Sequence, residues 1–144
     1  MRVRDIVGSK GSGVETVRGE ALMVVAVHQL TTRNIGSLVV SPDGERVEGV
    51  LAERDVVRGL AHHGSHLLEM QVRDVMTRGT PTCGPEDTVT KVMVDMTRSR
   101  QRHVPVVEGD RLCGLVSIGD VVKSRLDDLE LEASVLRDTW IVRR

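Results

Sequence analysis

A nine-residue segment occurs twice in the chain, and this internal repeat limits what the sequence can fold into. Residues 49–57 read GVLAERDVV and residues 114–122 read GLVSIGDVV, 65 residues apart (114 − 49). Each copy reads as a short apolar strand that turns and enters a helix. In the later copy, Ser117 and Asp120 stand three residues apart, the spacing at which one of them can cap that helix. The exposed N–H groups of such a helix start favour an anion.

The repeat continues on both sides of this segment. VRDIV at residues 3–7 returns as VRDVM at residues 72–76, and a Thr-Val pair follows each of them, at residues 16–17 and 88–89. Apolar residues at helical spacing come after each pair, so both threonines, Thr16 and Thr88, are predicted N-caps. A hairpin with a Gly- and Asp-containing turn then precedes each nine-residue copy. Each half is therefore predicted as strand, helix, strand, strand, helix, with the VRD segment as the first strand.

The helix that begins after Ser117 is predicted to continue to Trp140, well beyond its counterpart in the first half. It carries apolar residues at alternating spacings of four and three: Val122, Leu126, Leu129, Ala133, Leu136 and Trp140. This a/d-like stripe predicts either packing within the molecule or, as the length of the helix on so small a domain favours, contact with a partner. The sequence thus divides into a first motif (residues 1–66), a second motif (67–125) and a helical extension (126–144).

The composition excludes several classes of function. The 144 residues include no Tyr or Phe and a single Trp, so the core is aliphatic and offers no stacking platform for single-stranded nucleic acid. A formal net charge of −1 lacks the one-signed field of a dedicated polyanion binder, and no nucleic-acid partner is predicted. No apolar run approaches the ~20 residues that span a bilayer, and the N-terminal residues do not form a signal-like apolar region. The predicted location is the cytoplasm, with no membrane partner and with reduced cysteines.

No metal site and no catalytic residue is predicted. Cys83 and Cys113 lack the partner spacing of a structural zinc site, and the sequence leaves open a disulfide between them or a redox role. The charged run at residues 53–55 has no nucleophile–base pair beside it and is interpreted as a helix-entry charge set. Three histidines fall in the connection between the halves, without a Cys or carboxylate cluster nearby: His62, His63 and His66.

Taken together, the repeated segments resemble the tandem cystathionine-β-synthase-type (CBS) domain pair, also called a Bateman module. The resemblance covers residues 1 to about 125 and rests on VRDIV and VRDVM, the Thr-Val pairs, the strands RNIGSLVV and RQRHVPVV, and the two nine-residue copies. It implies a mixed α+β fold of two β-α-β-β-α motifs related by a pseudo-twofold axis, with two clefts between them. In such modules each cleft can bind an adenosyl compound, such as AMP, ADP, ATP, S-adenosylmethionine or NAD. The enzyme for which the domain is named carries it as a regulatory appendage, so no enzymatic activity follows.

The resemblance assigns the better ligand site to the second half. The family pattern Ser/Thr-x-x-Asp is complete at residues 117–120, where Asp120 would accept hydrogen bonds from the ribose and Ser117 would lie beside the phosphate. A carboxylate only accepts hydrogen bonds, which suits a vicinal diol. Helix capping alone is the alternative role for both residues. The other residues implied for this site are Thr80, Pro81 and Thr82 against the adenine, Val104 and Pro105 as apolar walls, and His103 at the phosphate or in a solvated basic rim.

The first half departs from the family pattern. Ala52 stands where the family has Ser or Thr, although Asp55 is kept. Phosphate binding there is therefore either lost or taken over by Arg54. The residues implied for this weaker site are Thr16, Ser37, Leu38, Arg54 and Asp55.

The resemblance thus implies a homodimeric regulatory module that binds an adenine nucleotide, with the helical extension (126–144) serving dimerisation. Ligand would favour one arrangement of the two halves and pass the change to a downstream protein that the sequence does not identify. No cofactor is required for this role. The alternative is a ligand-free interaction or scaffold module, which Ala52 favours and the intact Ser117 and Asp120 oppose. A small hydrolase or metal protein is a weaker third hypothesis.

Overall fold

Residues 1–10 and 13–142, which the computed structural model describes, form five α-helices and five short strands in two similar halves. The first half contains helix α1 (Val3–Lys10), strand β1 (Thr16–Val17), helix α2 (Met23–Arg33), strands β2 (Ser37–Val40) and β3 (Gly49–Ala52), and helix α3 (Glu53–His63). Two 3₁₀ segments (Gly64–Glu69 and Val72–Asp74) connect it to helix α4 (Val89–Ser99), strands β4 (His103–Glu108) and β5 (Arg111–Ser117), and helix α5 (Ile118–Val142).

The two halves share one topology, and the predicted α+β fold of two β-α-β-β-α motifs is confirmed. In the first half β1 pairs in parallel with β2, and β2 pairs with β3 as an antiparallel hairpin. In the second half β4 and β5 form the equivalent hairpin. Its first strand shortens to one parallel bridge, between Cys83 and Val106. This bridge corresponds to the pairing of Val17 with Val40 in the first half.

The VRD segments that open each half are helical, so their prediction as first strands was wrong. Residues 3–7 lie in α1, and residues 72–74 form a 3₁₀ turn. The carboxylate of Asp5 accepts a hydrogen bond from the backbone N–H of Arg2 at 2.9 Å, which stabilises a helix start rather than an extended chain. The first strand is instead the Thr16–Val17 pair.

One of the two predicted N-caps is confirmed and the other is wrong. Thr88 caps α4, and its hydroxyl accepts a hydrogen bond from the backbone N–H of Lys91 at 3.1 Å. Thr16 lies in β1, and α2 begins only at Met23, after Leu22. The two Thr-Val pairs are therefore not equivalent in the fold, because the first belongs to a strand and the second to a helix start.

Each half completes its core with the opening segment of the other half. The core of the second half contains Val3 and Ile6 of α1, packed among residues from α4, β4, β5 and α5. The core of the first half contains residues from the segment that opens the second half: Leu67, Val72 and Met76. Both cores are aliphatic, as the composition predicts.

Helix α5 continues beyond the two halves, as predicted, and leaves much of its apolar surface exposed. The predicted extension covers residues 126–144, of which residues 143 and 144 lie outside the described part of the chain. The exposed apolar side chains on α5 include five of the predicted stripe: Val122, Leu126, Leu129, Leu136 and Trp140. Across the described residues, we find no helix with both the length and the apolar character needed to cross a bilayer.

Candidate functional site

The start of α5 is held by a reciprocal set of hydrogen bonds between Ser117 and Asp120. The Asp120 carboxylate oxygen Oδ2 accepts from the backbone N–H of Ser117 at 2.8 Å and from its hydroxyl at 2.9 Å. In return, the Ser117 hydroxyl oxygen accepts from the backbone N–H of Asp120 at 3.2 Å. This is the geometry of a capping box, so the capping role of both residues is present.

Lys10, at the end of α1, reaches the same carboxylate from a distant part of the chain. Its Nζ donates to Asp120 Oδ2 at 2.7 Å and to the carbonyl oxygen of Leu115 at 2.9 Å. Burial opposes ionisation of Asp120, but the hydrogen bonds from Lys10 and Ser117 outweigh it and hold its pKa below the ordinary value. Asp120 is therefore a carboxylate at neutral pH.

The equivalent turn in the first half keeps the aspartate and lacks the hydroxyl. Asp55 is 6% exposed, and its Oδ2 accepts from the backbone N–H of Ala52 at 2.9 Å. Its other oxygen, Oδ1, accepts from the hydroxyl of Thr77 at 2.8 Å. Both carboxylate oxygens of Asp55 are thus already engaged within the protein.

A cavity of about 280 Å³, here named the Ser117 cavity, lies between the halves beside the capping box. The first half lines it with residues 13–15 and 35–37, and the second half with His103, Gly114, Leu115 and Ser117. Val7 and Lys10 of α1 complete the lining. Any molecule in this cavity would contact both halves.

Ser37 is one of the residues that line the Ser117 cavity, and its hydroxyl is unusual. The residue is 3% exposed, and among the described residues its hydroxyl oxygen is buried without a hydrogen-bond partner. A buried hydroxyl without a partner destabilises the fold. Because Ser37 lines the cavity, a rotation of its side chain would bring the hydroxyl within reach of a polar ligand atom.

A second cavity of about 440 Å³, the Asp55 cavity, lies beside the equivalent turn of the first half. Ala52, Asp55 and Thr77 contribute to its wall. Four arginines also line it: Arg54, Arg58, Arg100 and Arg102.

Gly36 and His103 belong to the lining of both cavities. The two residues are close: a Cβ atom on Gly36 would lie 3.5 Å from His103 Nε2. Burial lowers the pKa of His103 from its ordinary value, and the neighbouring Lys10 lowers it further. The imidazole is therefore neutral at pH 7 and forms part of the partition between the cavities.

Residues that were predicted for two separate sites line the same cavity. Ser37, from the predicted first site, meets Ser117 and His103, from the predicted second site, in the Ser117 cavity. Arg54 and Asp55 line the Asp55 cavity, which His103 also borders. Eight predicted residues are outside the lining of both cavities: Thr16, Leu38, Thr80, Pro81, Thr82, Val104, Pro105 and Asp120. Three of these, Leu38, Val104 and Pro105, are buried in strands.

Sequence reasoning did not identify Lys10, Glu15 and Thr77 as site residues. Each comes from a segment far along the chain from the turn that it meets, so no local motif marks it. The one available signal is the pseudo-twofold symmetry itself, which predicts that segments of one half face the turn of the other.

The part of the chain that the structure describes contains neither a cluster of metal-binding side chains nor a cysteine that is ionised at neutral pH. No group of three His, Cys, Asp or Glu side chains there could hold a metal ion. Cys83 and Cys113 are free thiols. Burial raises the pKa of Cys83 to about 12, and burial also raises that of Cys113, so neither is a thiolate at neutral pH.

Comparison with known proteins gives a consistent result. The CBS domain family matches the chain twice, over residues 3–62 and 72–127. The CBS domain-containing protein CBSX3, mitochondrial, of Arabidopsis thaliana is 34% identical over 130 residues, which cover 85% of this chain and 63% of that protein. The chain therefore spans less than two thirds of this curated relative.

Two solved structures share the fold. The CBS-domain containing protein ATU1752 from Agrobacterium tumefaciens superposes with a TM-score of 0.82 at 39% identity, over 86% of this chain and 92% of that one. The CBS domain pair of protein MJ0100, in complex with 5′-methylthioadenosine and S-adenosyl-L-methionine, has a TM-score of 0.76 at 24% identity, over 90% of this chain and 98% of that one. The repeated family match and the shared fold lead to one conclusion: the chain belongs to the CBS domain family and carries a tandem pair of these domains.

Proposed function

We propose that the chain is a regulatory module that binds an adenine nucleotide in the Ser117 cavity. CBS domain pairs are generally regulatory rather than catalytic and bind adenosyl ligands, and the pair of MJ0100 holds two such compounds. That this chain itself binds a nucleotide, and that it regulates a partner, are both part of the proposal. A cytoplasmic location stays a prediction from the sequence.

The observation that carries this proposal is the unpartnered hydroxyl of Ser37, a residue that lines the cavity. A bound ligand with a polar atom there would remove the cost of burying that hydroxyl. Asp120 adds a second polar group: it does not line the cavity itself but is hydrogen-bonded to Ser117, which does. The hydrogen bonds it accepts all go to Oδ2, and within the described residues Oδ1 has no partner. That oxygen is available to a ribose hydroxyl, while the start of α5 favours a phosphate.

The position of the cavity supports signalling by a shift between conformations. Because both halves line it, ligand binding favours the arrangement in which both walls are in contact with the ligand. Ser117 ends β5 and the next residue begins α5. A change in the turn is therefore passed directly to the exposed helix, which is the proposed route to a partner.

Replacing Ser37 by alanine separates a ligand-binding role from a structural one. We expect the melting temperature to stay the same or rise, because a buried hydroxyl without a partner is removed. We also expect the affinity for the bound nucleotide to fall about threefold to tenfold, the value of one hydrogen bond. Calorimetric titration with AMP, ATP and NAD measures the affinity, and Ser65→Ala, at an exposed position outside both cavities, is the control.

Two results would contradict the proposal. One is the absence of binding below the millimolar range for all three nucleotides, together with no change in melting temperature on their addition. A ligand-free scaffold module predicts that result. The other is an AMP affinity that is the same in Ser37→Ala as in the wild type.

We further propose that the chain is a homodimer in which the α5 stripe contacts a second copy. The double substitution Leu129→Glu and Leu136→Glu places charges in the stripe, and we expect it to raise the dimer dissociation constant at least 100-fold, because each buried leucine contributes about 1.5–3 kcal/mol. Sedimentation velocity over a range of concentrations measures the change. Leu131→Glu is the control, since Leu131 is also exposed but lies off the stripe. A wild-type monomer at micromolar concentration would refute the dimer, and equal effects of both variants would refute the role of the stripe in it.

A further inference from the structure

The Asp55 cavity carries an excess of positive charge that the Ser117 cavity lacks. Four arginines line it, against two acidic residues, Glu53 and Asp55. The charged lining of the Ser117 cavity consists of Lys10 and Glu15, which balance each other. Lys10 is moreover paired with Asp120 at 2.7 Å. The two cavities are thus related by symmetry in the fold and unlike in charge.

The four guanidinium groups are not neutralised by the described part of the protein. None of them lies within ion-pair distance of a carboxylate there, although Arg4, Arg18, Arg33, Arg46, Arg73 and Arg111 all do. Glu53 and Asp55 offset only part of this charge, because four arginines and two acidic residues line the cavity. The one hydrogen bond from this group joins Arg54 to the backbone carbonyl of Arg100 at 3.4 Å. Like charges gathered around one cavity repel each other unless an anion lies between them.

The backbone at Arg100 gives an independent reason to regard this charge as functional. Arg100 ends α4 with a φ of 57°, in the left-handed region, and the equivalent residue that ends α2 is Asn34, with a φ of 52°. Asparagine tolerates this conformation, whereas arginine does not favour it. The chain therefore accepts an unfavourable backbone conformation at the position that brings the Arg100 side chain to the cavity. Unfavourable backbone conformations of this kind concentrate at ligand sites.

We infer that the Asp55 cavity binds the polyphosphate of a nucleoside di- or triphosphate, whereas the Ser117 cavity takes an adenosyl compound with at most one phosphate. This inference rests on the proposed function for its nucleoside part. Arginine binds phosphate oxygens through paired N–H donors, and several guanidinium groups suit several phosphates. The larger volume of the Asp55 cavity, about 440 Å³ against about 280 Å³, is consistent with the longer ligand. Arginine side chains then take over the phosphate-binding role of the hydroxyl that is absent at Ala52.

The test compares ATP, AMP, adenosine and inorganic tripolyphosphate on the intact chain at one fixed ionic strength. In the wild type we expect ATP to bind more tightly than AMP. In the double variant Arg54→Ala and Arg58→Ala we expect ATP and tripolyphosphate to bind about 100-fold more weakly, because removing each arginine–phosphate hydrogen bond weakens binding about tenfold. Adenosine affinity should be unchanged. The control is Arg18→Ala with Arg111→Ala, which removes the same charge from exposed ion pairs outside both cavities. Thermal unfolding confirms that both variants are folded.

The outcomes distinguish this inference from the proposed function. Equal affinities for ATP and AMP that the Arg54/Arg58 variant does not change would overturn the inference and leave the proposed function standing. Equal losses of ATP affinity in both double variants would also overturn it, since the effect would then come from net charge. If no adenosyl compound binds but tripolyphosphate binds in an Arg54/Arg58-dependent way, the proposed function fails and the polyphosphate site stands. If nothing binds, both fail.

Discussion

Replacing Leu67 by alanine is expected to lower the free energy of unfolding by about 2–5 kcal/mol, the largest single-residue effect that we predict. Leu67 is 0% exposed and belongs to the core of the first half, although it lies in the connection that follows that half. It packs directly over Gly59 of α3, where an added Cβ would come within 2.5 Å of Leu67 Cδ1. Shortening the side chain leaves a cavity that the rigid helix cannot fill.

Urea unfolding followed by circular dichroism measures this change. The neighbouring residue provides the control: Leu68 lies in the same 3₁₀ segment but is 38% exposed, and Leu68→Ala should cost less than about 1 kcal/mol. Equal destabilisation by the two substitutions would show that the connection does not contribute to the core as described.

Gly49→Ala is expected to destabilise the protein by about 2–3 kcal/mol through a clash that cannot be relieved locally. A Cβ atom on Gly49 would lie 2.6 Å from the backbone carbonyl oxygen of Thr77 and 3.0 Å from the sulfur of Met76. The carbonyl cannot move away freely, because Val50 and Thr77 exchange two backbone hydrogen bonds, at 3.1 and 3.0 Å. Any shift also displaces the Thr77 hydroxyl from Asp55.

Gly8→Ala is the matched control for this substitution. Gly8 lies in α1 with no atom within 4 Å of the added Cβ, and alanine there should stabilise the protein by about 0.5–1 kcal/mol. Thermal unfolding should therefore move the two variants in opposite directions. A Gly49→Ala protein as stable as the wild type would mean that the strand and residue 77 are not in the close contact seen in the structure.

The order of helices and hairpins was predictable because it depends on local patterns. The turns between β2 and β3 and between β4 and β5, the cap at Thr88 and the long α5 all follow from residue types a few positions apart. The strand Thr16–Val17 was missed because two residues are too few to show an alternating pattern. Because the second Thr-Val pair resembles the first and both precede helical spacing, each was predicted to begin a helix, although the first pair forms a strand.

The two cavities could be predicted only in part. The sequence identifies the turns at Asp55 and Ser117, since these are local motifs. It does not show which segments face them. Lys10 and Asp120 are 110 residues apart and still form a 2.7 Å contact, which only the packing of the two halves brings about. The ligand-binding roles of these residues therefore stay predictions, which nucleotide titration tests.

The exchange of opening segments between the halves bears on how such a chain could arise. A single repeat by itself would contain a core that lacks one wall, because the residues that close it, such as Val3 and Ile6 or Leu67 and Val72, come from the other repeat. Such a repeat could close its core only by trading segments with an identical molecule. A chain with two repeats is equivalent to that pair with its ends joined, so it closes both cores within one molecule. Because the two turns belong to different repeats of one chain, each can carry its own residues, as the arginines of one cavity and the capping box beside the other do.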